Sequence, residues 1–171
     1  MKNLILVAVL LLTVSALSFA QPNVSATATA TGTIIAPIAI AKTVDMNFGN
    51  IVAGAAIGTV VLTPAGTRSA AGGAFLPSTL PGTVAAASFT VTGSTTYTYA
   101  ITLPAAATTV TSGGNTMTVD TWTSTPTVAL GGALTGGTQT LTVGGTLHVG
   151  ANQAAGTYVS GTAFTVTVAY N

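Results

Sequence analysis

The sequence has no cysteine, no glutamate and almost no charge: three Lys or Arg, two Asp and one His in 171 residues. Each absence excludes something. Without Lys and Arg clusters there is no means of displacing counterions from nucleic acid, and no polybasic surface for anionic lipid. Two isolated Asp residues, Asp45 and Asp120, make neither a calcium cage nor a transition-metal site. The glycine pairs match no phosphate loop, because no Lys follows any of them. A Ser-His-Asp catalytic set needs all three groups placed together, and the one imidazole, His148, alternates out of phase with Leu147 and Val149. That spacing predicts an exposed strand position. The expectation is a non-enzymatic protein with no cofactor and no metal.

The remaining composition is 49% hydrophobic, too apolar for a disordered tail, which typically combines low hydrophobicity with high net charge. A neutral surface of Thr, Ser, Gly and Ala lacks the repulsion that keeps folded monomers apart. Such a surface suits self-association. Lack of cysteine leaves core packing, sheet pairing or neighbouring subunits as the sources of stability.

The N-terminus reads as an export signal. Lys2 is followed by an unbroken apolar run over residues 4–12, and Ser18 and Ala20 form a small-residue cleavage site before Gln21-Pro22. A membrane-spanning helix needs about 20 apolar residues, and Thr13, Ser15 and Ser18 interrupt the run. Cleavage after Ala20 leaves about one domain and no stable membrane insertion.

Period-2 alternation dominates the rest. Phe164, Val166, Val168 and Tyr170 face one way, with Thr165, Thr167 and Ala169 between them. Tyr97, Tyr99, Ile101 and Leu103 form another apolar face, and shorter pairs are Phe89/Val91, Met117/Val119, Leu141/Val143 and Leu147/Val149. Trp122 is out of phase with Met117 and Val119, which predicts a bulge or strand end near Asp120. Gly72-Gly73, Gly113-Gly114, Gly131-Gly132, Gly136-Gly137 and Gly144-Gly145 read as turns. Residues 64–81, rich in Gly, Ala, Ser and Pro, read as a long surface loop. Many short strands with closely spaced turns indicate an all-β sandwich or open barrel. The Thr-x-Thr runs have no fixed repeat period, and read as solvated strand faces. Lys42 and Asp45 admit an intramolecular crosslink or an ion pair, and an exposed ion pair is the simpler reading.

Residues 24–40 keep one register throughout: Val24, Ala26, Ala28, Ala30, Gly32, Ile34, Ala36, Ile38 and Ile40 share one parity. Ordinary strands run about five or six residues, and at roughly 3.3 Å each this one would span about 55 Å. The division that follows gives 1–20 to the signal, 21–32 to an N-terminal extension and 33–171 to the sandwich. Two readings of the extension stand. It is a projecting strand that completes another subunit's sheet by β-augmentation, or an ordinary first strand of its own domain. In the first, Val24, Ala26, Ala28 and Ala30 face the recipient's core.

Several motifs in order resemble the domain-of-unknown-function 4402 family: DMNFGNIVAG at 45–54, TVVLTPAG at 59–66, ASFTVTG at 87–93, GGTLHVGAN at 144–152, and AGTY at 155–158 with FTVTVAYN at 164–171. The resemblance covers nearly all of the chain after the signal, and implies an exported bacterial protein. The ending is also similar to chaperone–usher pilins and spore-coat-U-type proteins, through its alternating final strand, Tyr170, and the Gly156-x-Tyr158 turn. That likeness implies an immunoglobulin-like, pilin-like antiparallel β-sandwich with an extended N-terminal strand, and a groove lined by Phe164, Val166, Val168 and Tyr170 that a neighbour's extension fills. It further implies a homopolymer at the outer surface of a Gram-negative-type bacterium, with possible export or assembly factors as partners. Unlike those pilins, this chain lacks a cysteine pair, and its extension is Ala-rich. The competing expectation is a secreted monomeric adhesin or carbohydrate-binding module presenting Trp122 and the 64–81 segment to a glycan.

Overall fold

The structure is a computed structural model that describes residues 22–171. The expected signal, 1–20, lies outside the described residues. The strands are β1 (Ala39–Val44), β2 (Asn47–Phe48), β3 (Val52–Leu62), β4 (Arg68–Phe75), β5 (Val84–Ala85), β6 (Ala87–Thr92) and β7 (Thr98–Thr102). They continue with β8 (Thr108–Ser112), β9 (Asn115–Thr125), β10 (Gly132–Ala133), β11 (Thr138–Val149), β12 (Val159–Ser160) and β13 (Thr167–Tyr170). The fold is all-β, and every pairing is antiparallel. Ile35–Asn171 forms one compact unit.

An eight-stranded sheet runs β1-β6-β11-β9-β8-β12, with β3 also on β11 and β4 on β3; β10-β7-β13 make a three-stranded sheet and β2-β5 a small pair. The organising element is β11. Its first half pairs with β6 and its second half with β3, while β9 follows the opposite edge. Its odd-numbered side chains all turn inward. Leu141 and Val143 join Val91, Tyr99, Ile101, Leu134 and Val166 in one core cluster between the two larger sheets. Leu147 and Val149 join Val60, Ala74 and Val119 in a second. Trp122 packs against both.

The expected bulge is present. Gly144 pairs with Thr123 and Thr146 with Asp120, so Gly145 alone opposes Thr121 and Trp122. Thr121 takes φ 50° there, and the extra residue is what turns Trp122 inward. The β8–β9 hairpin closes on Gly113-Gly114, both at positive φ, the geometry that a two-residue turn demands.

Three expectations are corrected. Gly144-Gly145 is no turn: it lies within β11, and a Cβ at Gly144 would come within 2.2 Å of the Leu62 carbonyl oxygen. Close approach of a neighbouring backbone, and not a reversal of the chain, calls for glycine there. Residues 64–81 are not one loop, because β4 occupies their centre, held by its ladder to β3. Gly72-Gly73 therefore sits inside a strand. Finally, the 24–40 register becomes a strand only at Ala39, where β6 offers a partner; residues 22–38 form none. Alternation prepares a segment for pairing, but a strand needs an edge to bond to.

Candidate functional site

The second half of the 24–40 register is tied down within the body. Ala36 donates its N–H to Ser94 Oγ at 2.9 Å, and its carbonyl accepts from Tyr170 Oη at 2.9 Å. Tyr170 Oη in turn accepts the Ser94 N–H at 2.7 Å. The three residues close a small ring, roofed by Tyr97, whose ring centroid lies 5.5 Å from that of Tyr170. Gly93 makes the ring possible. A Cβ there would fall 2.2 Å from Tyr170 Oη. The ring fixes where the chain enters the body: beside the end of β13.

β13 is itself an edge, bonded to β7 and to no other strand among the described residues. Asn171 N–H donates to the Thr98 carbonyl, and bonding in an antiparallel pair alternates with period two. Thr167 and Ala169 therefore bond toward β7, and the backbone groups of Val168 and Tyr170 point out from the sheet. Of the proposed groove residues, Val166 is buried in the first core cluster, with Phe164, Val168 and Tyr170 partly buried against it. Phe164 is stacked on Trp122 at 4.6 Å between centroids. The alternate positions Thr165, Thr167 and Ala169 are exposed.

Pro22 to Ile34 are exposed at every residue, Val24 at 95% and Ile34 at 99%. Val24, Ala26, Ala28 and Ala30 thus form an apolar row without a buried side chain.

Trp122, the candidate glycan platform, donates its indole N–H to the Ala106 carbonyl while its ring packs against Phe164 and the edges of both core clusters. The indole is partly buried, packed against both clusters with part of its surface still accessible. Lys42 and Asp45 form an exposed ion pair at 2.5 Å.

His148 is exposed between buried Leu147 and Val149, as its spacing predicts. The bulge brings Asp120 alongside it, with Nε2 and Oδ1 2.8 Å apart. Hydrogen bonds from His148, and then from the Thr121 hydroxyl, hold the Asp120 carboxyl below its ordinary range. His148 also borders a shallow depression whose walls include Ile57, Thr59, Ala71 and Val149. The Asp120–His148 pair sets one carboxylate and one imidazole side by side on a part-exposed sheet face. In contrast, burial pushes the Tyr99 phenol up, and its hydroxyl donates to Gln139 Oε1 at 2.9 Å.

Arg68 was not singled out by sequence reasoning, yet its guanidinium donates to the carbonyls of Phe48, Asn50 and Pro81. Its planar fork ties two loops that a flexible ammonium could not span equally well. No sequence signal announces it, because its partners are backbone oxygens. The Ala36–Ser94–Tyr170 ring is hidden for the same reason.

No helix among the described residues is long and apolar enough to cross a membrane. Comparison with curated proteins and with solved structures gives no match. A family model described as Domain of unknown function (DUF4402) does match, over residues 38–170. That span runs from the residue before β1 through the last residue of β13, and so covers every strand of the sandwich; the chain belongs to the DUF4402 family.

Proposed function

We propose that this protein is an exported, non-enzymatic structural subunit of a bacterial surface filament or extracellular matrix, joined to its neighbours by strand exchange. Residues 1–20 direct export and are removed. The N-terminal arm of one copy, with Val24, Ala26, Ala28 and Ala30 on one side, pairs with the β13 edge of the next. Val168 and Tyr170 supply the outward backbone groups, and Phe164 and Val166 the apolar ground beneath.

One juxtaposition carries this reading: an exposed, strand-patterned arm whose point of entry is fixed beside a strand with a free edge. A free edge pairs readily with an added strand, and backbone bonding of this kind supplies affinity while alternate side chains supply fit. Near-zero charge removes repulsion between copies. The arm lies outside the matched family region of 38–170, whereas the receiving strand β13 lies within it.

The test is to delete residues 24–31 from the secreted form and examine it by electron microscopy. Loss of polymers is the expected result. Polymers that form normally without the segment contradict the proposal.

A further inference from the structure

We infer that the arm of a second copy adds to β13 as a surface strand over a core already complete, so that each subunit folds before it assembles. This rests on the strand-exchange reading above and specifies the receiving site. Two kinds of strand exchange are physically distinct. In one, the incoming strand supplies missing core, and the empty subunit exposes an apolar trench. In the other, it lengthens a sheet that is already packed beneath.

The burial pattern points to the second. Beneath β13, Tyr99, Leu134, Leu141, Val91 and Val143 are wholly buried, and Ile101 is 3% exposed. Val166 is 8% exposed without any partner chain. No buried side-chain nitrogen or oxygen among the described residues lacks a hydrogen bond. The cluster is thus covered by this chain's own residues, with Ile38, Ile40, Phe164, Val168 and Tyr170 partly buried at its margin.

Spacing agrees. A strand wedged between β1 and β13, bonding to both, needs them about two inter-strand spacings apart, roughly 9.5 Å. At their closest approach, Cα atoms of the two strands already lie within 8 Å. An incoming strand is therefore placed outside β13, in the plane of the three-stranded sheet, where Val168 and Tyr170 present their backbone groups.

The chemistry of the arm fits that position. Its inward row is Val24 and then alanines at 26, 28 and 30, with Gly32 after them. Filling a core trench calls for large apolar side chains, since unfilled volume is destabilising. Alanines suit a shallow seat, where the sheet must be approached closely and little depth is available. The threonines of the other row then meet water. Such a contact is held mainly by backbone hydrogen bonds, each a modest net gain, so assembly is reversible on dilution and requires no partner to shield an unfolded intermediate.

The experiment compares the secreted form, its 24–31 deletion, and the point variant Ala28→Asp, which leaves the body untouched and sets a charge on the inward row. Each is followed by thermal unfolding at low concentration, by sedimentation, and by titration with a synthetic peptide of residues 22–34. The expected result has three parts. Both variants melt within about 2 °C of the parent, a shift corresponding to no more than about 0.5–1 kcal/mol. Both sediment as monomers. The peptide binds the deletion protein with little change in melting temperature, and an Ala28→Asp peptide fails to bind. A deletion protein that fails to fold, or that melts far lower and is rescued by the peptide, overturns the complete-core inference and leaves strand exchange standing. Polymers formed equally by all three proteins overturn both.

Discussion

Tyr170 donates its phenolic hydrogen to the carbonyl of Ala36, 134 positions earlier in the chain, at a distance of 2.9 Å. This bond joins the end of the last strand to the point where the N-terminal segment meets the body. Tyr170→Phe keeps the ring against the core and Tyr97 but leaves the Ala36 carbonyl and the Ser94 N–H without this partner. The expected loss is about 1–2 kcal/mol, one to two ordinary hydrogen bonds, together with faster amide exchange at Ser94. Unchanged exchange at Ser94 would contradict the assignment.

Gly93→Ala tests the same ring from the other side. The new methyl would meet Tyr170 Oη at 2.2 Å and Leu134 Cδ1 at 2.8 Å, an overpacking of the kind that costs about 1–3 kcal/mol. Combined with Tyr170→Phe, which removes the colliding oxygen, the penalty shrinks. A double-mutant cycle in chemical denaturation measures this coupling, and strict additivity would show that the two residues do not share a site.

Trp122 stands where the two core clusters meet. Trp122→Ala should destabilise by about 3–5 kcal/mol, as for other large-to-small core changes. Because Trp122 is the only tryptophan, the parent's fluorescence reports its unfolding directly. A variant of unaltered stability would place the indole at the surface, where a glycan platform belongs.

The Asp120–His148 pair predicts a pH dependence with a definite sign. The carboxyl is depressed in the fold, first by His148 and then by Thr121, from the usual 3.8. Its stabilisation is therefore complete above the ordinary carboxylate range and is lost as pH falls below it toward the depressed value. Both side chains are part-exposed, at 39% and 46%, so solvent screening keeps the effect small. Asp120→Asn should flatten the acid limb of the melting-temperature profile, and an acid limb unchanged by the substitution would contradict the assignment.

How legible was all this in the residues? The sandwich follows from alternation and glycine turns, and the bulge at Asp120 follows from a single phase slip between Val119 and Trp122. Both are local signals. β4 was invisible because Ser69, Ala70, Ala71, Gly72 and Gly73 carry no hydrophobic period; only pairing with β3 makes them a strand. The N-terminal segment fails in the opposite sense. Its pattern is the longest in the chain, yet it stays unpaired to residue 38, because strand structure depends on a partner that the pattern alone cannot supply. The candidate site divides along the same line. Val168 and Tyr170 were visible by parity, whereas Ser94, Gly93 and Ala36 join them only through long-range contacts with backbone atoms.

Self-association through the arm can be read most directly by size-exclusion chromatography of residues 21–171 across a concentration series. Strand exchange gives a ladder of oligomers that shortens on dilution and collapses to one peak for Ala28→Asp. A single sharp monomer peak at every concentration would contradict it.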